Sequence, residues 1–310
     1  MLICIGNHMS KEISVILVNY NGKAYNDKCI SSVLNSSIKD KLQIVIVDNA
    51  STDGSLTDLA VKWGENEHIH ILSLTENFGF SKANNEGIKW SRRQGIKYFL
   101  LLNNDTEIEP NVIERMLDCC KRTKGIVVPK IFYADNRDII WCAGGTFSKA
   151  IKKPIQRGLN EKDQGQYNEN MYCDFANGCC LLLTEQILEK IGFLDEDFFL
   201  YYEDTEYSLR AKKKNIPIVY CPDAIVYHKV NGATKGNEKP ENAYYITRNW
   251  LRCNQMHMSK GRFTLFFIYF LLNRVAWILI WTLQRKNGMK KAVLKGLIDF
   301  KNGKTGAYEK

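Results

Sequence analysis

The chain has 310 residues, of which 45% are apolar, and these values suit one large α/β domain or one domain with an appended segment. Its ten cysteines include no C-x-x-C pair, so they indicate neither a disulfide scaffold nor a zinc knuckle, and we expect reduced, mostly buried thiols. The net charge of +9 comes from one end, since residues 252–310 hold twelve Lys and Arg against two acidic residues, while residues 1–251 balance to −1.

This charge distribution predicts an anionic partner for the basic tail only. The neutral body and the lack of a recognised nucleic-acid module argue against nucleic acid as that partner. Residues 1–12 are too short for a signal peptide and lack its positive start, so they are interpreted as an extension. We therefore expect a cytoplasmic protein.

Apolar runs alternate with helically spaced segments along the first half of the chain. This alternation predicts a mostly parallel sheet with right-handed crossovers, flanked by helices. A polar residue follows each strand, and the carboxyl ends of parallel strands share one edge, so we expect a nucleotide-sized crevice there. The predicted strands span residues 13–18, 42–47, 69–74 and 98–102, the helices span 24–35, 56–63 and 81–93, and the polar residues are Asn19, Asp48, Asn77 and Asp105.

The second half is less regular. After a helix and a strand, two stretches without helical spacing predict a hairpin and a mobile loop. An aromatic segment that carries Glu203 and Asp204 follows, and His228 comes after the last predicted strand. In chain order we predict a helix over residues 110–121, a strand over 126–132, the hairpin over 139–147, the loop over 156–170, a helix over 184–191 and a strand over 216–221.

Two apolar runs, residues 265–272 and 275–283, precede the basic tail. Together they are about long enough to cross a bilayer, at roughly 20 residues, but Arg274 between them argues against a simple span. We predict two shorter interfacial helices, with Trp277 and Trp281 near lipid headgroups and contact with the inner membrane surface through residues 264–304. The alternative is a helical pair that packs on the body or on a second subunit of a homo-oligomer.

Several motifs occur together in a specific order: SVILVNYNG, IVIVDNASTDGS, ENFGFSKANNEGI, LLLNNDTEIEP, ANGCCLLL and FFLYYEDTEYSLRAKKKN, followed by His228. As a set they resemble an inverting family 2 glycosyltransferase of the GT-A fold, in its rhamnosyltransferase-like branch. The resemblance implies a catalytic domain over residues 13–250, a basic and apolar helical extension over residues 251–310, and hexosyltransferase activity.

The resemblance also implies a binding site for a nucleotide-sugar. Asp48 would accept a hydrogen bond from the pyrimidine ring, and its alternative role is that of a turn or helix-capping residue. Asn19 and Tyr20 would line the same base pocket. Asn77 and Gly79 would lie where the chain approaches the nucleotide, because glycine permits a close approach.

A divalent cation is expected next to this pocket. Residues 103–105 match the D-x-D motif, with Asn103 in place of the first Asp and Asn104 in the middle. Asp105 would be the anionic ligand of Mg²⁺ or Mn²⁺, and His228 resembles the late histidine that completes such sites. The alternatives are a strand-ending turn for the motif and a structural role for the histidine.

Glu203 and Asp204 match the acidic pair that supplies the catalytic base, a role that falls to Asp204. Their alternative is the acidic first turn of a helix. Arg248 would contact a phosphate or serve in packing. The implied reaction moves a sugar, with rhamnose one candidate, from a UDP- or dTDP-sugar to a surface polysaccharide or a lipid-linked glycan. The competing hypothesis is a catalytically inactive nucleotide-sugar or glycan-binding scaffold.

Overall fold

The computed structural model describes residues 11–230 and 239–309, so residues 1–10 of the predicted N-terminal extension lie outside the described part. Within it the chain forms twelve strands and nine helices. The strands are β1 (Ile13–Asn19), β2 (Leu42–Asp48), β3 (Ile69–Ser73), β4 (Tyr98–Asn103), β5 (Thr106–Ile108), β6 (Ile126–Tyr133), β7 (Asn136–Ala143), β8 (Gly145–Phe147), β9 (Pro154–Gln156), β10 (Met171–Cys173), β11 (Cys180–Thr184) and β12 (Ile218–His228). The helices are α1 (Asn26–Leu34), α2 (Ser55–Trp63), α3 (Gly79–Arg93), α4 (Val112–Thr123), α5 (Glu185–Ile191), α6 (Glu203–Lys213), α7 (Pro240–His257), α8 (Lys260–Leu283) and α9 (Asn287–Lys301).

Ten strands form one sheet in the order β10-β12-β6-β11-β4-β1-β2-β3, with β5 beside β12 and β7 beside β6. β1 pairs in parallel with β2 and β4, and β6 pairs in parallel with β12. Buried residues of α1, α2 and α4 pack on one face, and those of α3, α5 and α6 pack on the other. A sheet covered on both faces needs strands that are apolar throughout, which is why they were recognisable in the sequence. The predicted mostly parallel α/β sheet is confirmed.

One central strand runs against its neighbours. β11 pairs antiparallel with β4 and β6. The apolar pattern could not indicate this direction, because a strand buried on both faces has the same apolar sequence pattern whether it is parallel or antiparallel to its neighbours. As a result, the start of β11 lies beside the end of β4, with Cys180 opposite Leu102. This reversal carries the segment that precedes β11 to the sheet edge where the polar strand ends lie.

The region that we predicted as a hairpin and a loop is fastened to the sheet. β7 pairs antiparallel with β6, and β8 and β9 form a separate two-stranded sheet. The buried ammonium of Lys130 on β6 donates to Asp163 Oδ2 at 2.9 Å and to Asn168 Oδ1 at 2.6 Å. A buried charge needs such partners, so this contact ties residues 163–168 to the central sheet.

The prediction of two short helices near the C-terminus is wrong, since α8 is one continuous helix of 24 residues. Neither Asn273 nor Arg274 breaks a helix, and the Arg274 guanidinium lies 4.7 Å from the centre of the Phe270 ring. Among the described residues α8 is the one helix whose length and mean hydropathy of 1.9 would suit a membrane, and only 11% of its apolar window is buried. The predicted boundary at residue 250 falls inside α7.

Candidate functional site

The ends of β1, β2 and β4 lie side by side, since Asn19 is opposite Asp48 and Val18 is opposite Asn103. The fully buried Asn19 side chain connects these ends. Its Nδ2 donates to Asp48 Oδ1 at 2.6 Å, and its Oδ1 accepts from Asn104 Nδ2 at 3.3 Å. Asn104 Nδ2 also donates to Asn26 Oδ1 at 2.8 Å. A buried amide network therefore joins three strand ends to the start of α1.

Glycine at position 22 makes room for this network. A Cβ at Gly22 would lie 2.2 Å from Asn104 Nδ2 and 2.6 Å from Asn19 Oδ1, which is closer than such atoms can approach. The Gly22 amide instead donates to Asn19 Oδ1 at 3.2 Å. The turn at residues 19–22 thus packs directly on the side-chain amides of Asn19 and Asn104.

The three residues predicted to contact the base lie at one corner of this edge but differ in exposure. Asn19 and Asp48 are fully buried, whereas Tyr20 is 46% exposed. Both oxygens of Asp48 accept hydrogen bonds within the protein, Oδ1 from Asn19 and Oδ2 from the Ser51 amide at 3.1 Å. The base contact of Asp48 stays a prediction, and Tyr20 is the side chain here that is open to a ligand.

Asn77 and Gly79 form the turn that begins α3. Asn77 Oδ1 accepts from the Gly79 amide at 2.9 Å and from Asn49 Nδ2 at 2.8 Å. Gly79 has φ +84°, and a Cβ there would lie 2.4 Å from the carbonyl oxygen of Phe199. Glycine is therefore required at this position for close contact with Phe199, a reason that the sequence did not indicate. Sequence reasoning also missed Asn49, although it directly follows Asp48.

Asp105 and His228 come together at the other end of the edge. The distance from His228 Nε2 to Asp105 Oδ1 is 3.2 Å, and both side chains are about nine-tenths buried. Pairing of β5 with β12 sets this contact, because it places Thr106 opposite His228. Trp141 packs edge-on against the imidazole at 4.6 Å and was not among the predicted residues.

The chemistry of this pair fits a divalent cation. Asp105 Oδ1 is buried and, apart from its 3.2 Å contact with His228 Nε2, has no hydrogen-bond partner within the described residues. Two ligands that bind one cation at about 2.1 Å and at right angles are about 3 Å apart, close to the observed separation. Across the part of the chain that the structure describes, no three His, Cys, Asp or Glu side chains are arranged to hold a metal. Such an ion would thus take its other ligands from phosphates and water.

The segment before β11 links Asp204 to this edge. The Asn103 amide donates to the Cys179 carbonyl oxygen at 2.9 Å, and the neighbouring Gly178 amide donates to Asp204 Oδ2 at 3.1 Å. Because Gly178 and Cys179 are consecutive, Asp204 and the end of β4 lie on either side of one short segment. The two predicted halves of the site therefore share one region of the molecule.

Asp204 and Glu203 begin α6 in surroundings that favour protonation. Burial raises the pKa of Asp204, while the amides of Gly178 and Thr205 donate to its oxygens and oppose the rise. Burial and the neighbouring Asp204 charge raise the pKa of Glu203 well above its ordinary value. Glu203 Oε2 has no hydrogen-bond partner within the described residues. We infer a pair in which Glu203 holds a proton while Asp204 carries the negative charge.

Arg248 lies in the interior of the protein. Its side chain is 1% exposed, and its Nη1 donates to the Tyr244 hydroxyl at 3.0 Å and to the Gly306 carbonyl oxygen at 2.9 Å. Of the two predicted roles for Arg248, the structure therefore favours packing between α7 and the C-terminal tail.

Comparisons with known proteins agree with this geometry. A family model described as "Glycosyl transferase family 2" matches residues 14–192. The low-salt glycan biosynthesis hexosyltransferase Agl10 of Haloferax volcanii is 28% identical over 260 residues, which cover 82% of this chain and 78% of that protein. The dTDP-rhamnosyl transferase RfbF of Shigella flexneri is 27% identical over 258 residues, which cover 78% of this chain and 79% of that protein.

Solved structures share the fold. GalNAc-T7 with UDP, GalNAc and Mn²⁺ matches with a TM-score of 0.58 at 17% identity, over 70% of this chain and 43% of that chain. TarS 1-349 of S. aureus in complex with UDP-GlcNAc matches with a TM-score of 0.58 at 15% identity, over 93% of this chain and 80% of that chain. The predicted GT-A type fold is confirmed.

Proposed function

The chain is a member of glycosyl transferase family 2, and we propose that it transfers a hexosyl group from a UDP- or dTDP-linked sugar to a glycan hydroxyl, with inversion at the anomeric carbon. The observation that carries the proposal is the hydrogen-bonded connection from Asp48 through Asn19 to Asn104, next to Asp105 and the Gly178–Asp204 contact. It brings together, at one sheet edge, the residues that we propose for the base pocket, the cation site and the catalytic base. Family membership makes the chain an enzyme, and its similarity to two named glycosyltransferases supports this further.

In the proposed reaction Asp204 takes the proton of the acceptor hydroxyl. The acceptor oxygen forms a bond to the anomeric carbon from one face, while the bond from that carbon to the diphosphate oxygen breaks on the other face. The products are the glycoside, the nucleoside diphosphate and the protonated Asp204. A raised pKa suits this role, because a stronger base removes a hydroxyl proton more readily once it is ionised. Glu203, which holds its own proton, leaves Asp204 as the charged member of the pair.

Asp105 and His228 would hold Mg²⁺ or Mn²⁺ in this proposal. When bound, the ion neutralises charge on the departing diphosphate. The 3.2 Å separation of the buried Asp105 Oδ1 and His228 Nε2 supports this assignment, as does the presence of Mn²⁺ and UDP in the GalNAc-T7 structure of the same fold. Trp141 packs against the imidazole and so restricts the direction in which His228 points.

The acceptor that we propose is a surface polysaccharide or its lipid-linked precursor, used at the cytoplasmic face of the cell membrane. Agl10 and RfbF, by their names, support a role in glycan assembly and make rhamnose a candidate sugar. The exposed face of α8 supports membrane contact, since Leu272 is 68% and Leu283 is 86% exposed. Basic residues follow directly in the tail and would add attraction to anionic lipid.

Release of nucleoside diphosphate from a panel of UDP- and dTDP-sugars, with and without Mn²⁺, tests the proposed reaction. The panel contains UDP-glucose, UDP-galactose, UDP-GlcNAc and dTDP-rhamnose. We expect one donor to be turned over by the wild type, with a loss on the order of 10²-fold or more in Asp204→Asn because the base is removed. Equal turnover by wild type and Asp204→Asn would contradict the base assignment. Donor binding without turnover would favour the inactive scaffold.

A further inference from the structure

We propose that Asn249 on α7 is a positioning residue that holds the Glu203–Asp204 pair in its working orientation. The catalytic part of this inference rests on the proposed function, in which Asp204 is the base. Asn249 lies far along the chain from the pair and outside the region matched by the family model. The inference stands on hydrogen bonds to the backbone that leads into α6.

The backbone before the pair has an unusual conformation. Tyr201 has φ 65° and Tyr202 has φ 73°, so two consecutive residues with side chains adopt the left-handed region. Residues other than glycine rarely occupy this region, and they remain there only where their surroundings hold them. Tyr202 is also the N-cap residue directly before α6, so its conformation sets the direction in which the helix and its first residues, Glu203 and Asp204, begin.

Asn249 provides a fixed contact to this segment. Its side chain is fully buried, and its Nδ2 donates to the carbonyl oxygens of Leu200 at 2.8 Å and Tyr201 at 2.9 Å. Its Oδ1 accepts from Arg248 Nε at 3.0 Å, which orients the amide so that Nδ2 faces the two carbonyls. The two N–H groups of the Asn249 amide therefore hold the peptide group that follows Leu200 and the one that follows Tyr201.

Two hydrogen bonds from α3 hold the preceding residues, Phe198 and Phe199. The Phe80 amide donates to the Phe199 carbonyl oxygen at 2.7 Å, and Ser81 Oγ donates to the Phe198 carbonyl oxygen at 2.8 Å. These bonds come from α3 and end at Phe199. Asn249 continues the series to Leu200 and Tyr201, so the whole segment up to the acidic pair is fixed at its carbonyls.

The test compares Asn249→Ala with Asn254→Ala in the full-length protein. Asn254 is a matched control because it is also a fully buried asparagine of α7, but its Nδ2 donates to the Ile151 carbonyl oxygen at 3.0 Å instead. Amide hydrogen exchange over residues 199–205 is measured without substrate. Turnover is measured with the panel nucleotide-sugar that the wild type hydrolyses fastest.

We expect faster exchange over residues 199–205 in Asn249→Ala and wild-type exchange there in Asn254→Ala. We also expect kcat to fall on the order of 10²-fold in Asn249→Ala, with the donor KM within about threefold of wild type, because misplacement of a reacting group by about 1 Å has effects of this size. The acidic limb of its pH–rate profile should move to higher pH, since Asp204 would lose the Gly178 and Thr205 bonds that oppose its raised pKa. Asn254→Ala should keep the wild-type kcat and profile.

Asn249→Asp serves as a second variant of nearly the same volume. Its carboxylate cannot donate to the two carbonyls, so it should reproduce the exchange and kcat changes, and wild-type behaviour of this variant would overturn the proposal. The exchange measurement needs no substrate, so it decides the positioning role even if no donor in the panel is used. Unchanged exchange over residues 199–205 in a folded Asn249 variant would refute that role, whereas faster exchange with unchanged kcat would refute only the catalytic consequence.

Discussion

Substitution of Gly22 by alanine tests whether the buried amide network sets the sheet edge. The new Cβ would lie 2.2 Å from Asn104 Nδ2, so this amide must move. Its bonds to Asn26 Oδ1 at 2.8 Å and to Asn19 Oδ1 at 3.3 Å would then break. A buried hydrogen bond contributes about 1 kcal/mol, and a buried group left without a partner adds more, so we expect a loss of about 2 to 4 kcal/mol in unfolding free energy.

The loss is measured by urea denaturation of Gly22→Ala beside Gly261→Ala. Gly261 is the control because a Cβ there would meet no other atom within 4 Å, so this variant should be as stable as the wild type or up to about 1 kcal/mol more stable, since alanine favours the helix. Asn104→Ala removes one of the two clashing groups and leaves Asn19 Oδ1 2.6 Å from the new Cβ, so Gly22→Ala added to it should cost less than it does in the wild type. An unfolding free energy of Gly22→Ala within about 0.5 kcal/mol of wild type, or fully additive effects in the double variant, would refute this reasoning.

Three further predictions concern the site and the membrane. Asp105→Ala should abolish turnover and its stimulation by Mn²⁺, whereas exposed Asp223→Ala should not; substantial metal-independent activity in Asp105→Ala would contradict the ligand role. In the folded protein Glu203 keeps its proton above its ordinary pKa of 4.5, so the free energy of unfolding should fall as the pH rises from there. Glu203→Gln should raise the free energy of unfolding at pH 7 on the order of 1 kcal/mol, with a flatter pH dependence in denaturation curves. Leu272→Glu should lower the fraction of protein that floats with phosphatidylglycerol vesicles. Val61→Glu, a change at an exposed position of α2, is the control and should float like the wild type, and equal flotation of both variants would argue against α8 as the membrane contact.

Much of the sheet could be predicted because it is buried on both faces. The first four strands lie within one residue of their predicted ends, since each is a mostly apolar run closed by a polar residue. The direction of β11 could not be predicted, because the apolar pattern is the same for both directions. The interruption at Arg274 was predicted from its charge alone, and the prediction failed because the side chain packs against Phe270 while the backbone continues as helix.

The candidate site was predicted through its motifs more than through its contacts. The structure brings Asp105 and His228 to 3.2 Å, a proximity that no local pattern contains and that only the family resemblance implied. Asn49 and Trp141 went unnoticed for a physical reason. They act through one amide pair or one ring contact with residues distant in the chain, and such contacts leave no periodicity in the sequence.

The position of β12 has a consequence for how the protein is made. This last strand lies between β10 and β6, pairs with β5 and carries His228 at its end. A growing polypeptide that has emerged only as far as residue 192, where the family match ends, has neither this strand nor the acidic pair of α6. Until translation passes residue 228, β12 cannot fully cover the edge of β6, which leaves unpaired backbone N–H and C=O groups there. Synthesis from the N-terminus therefore completes the candidate site late, only after residue 228 has been added.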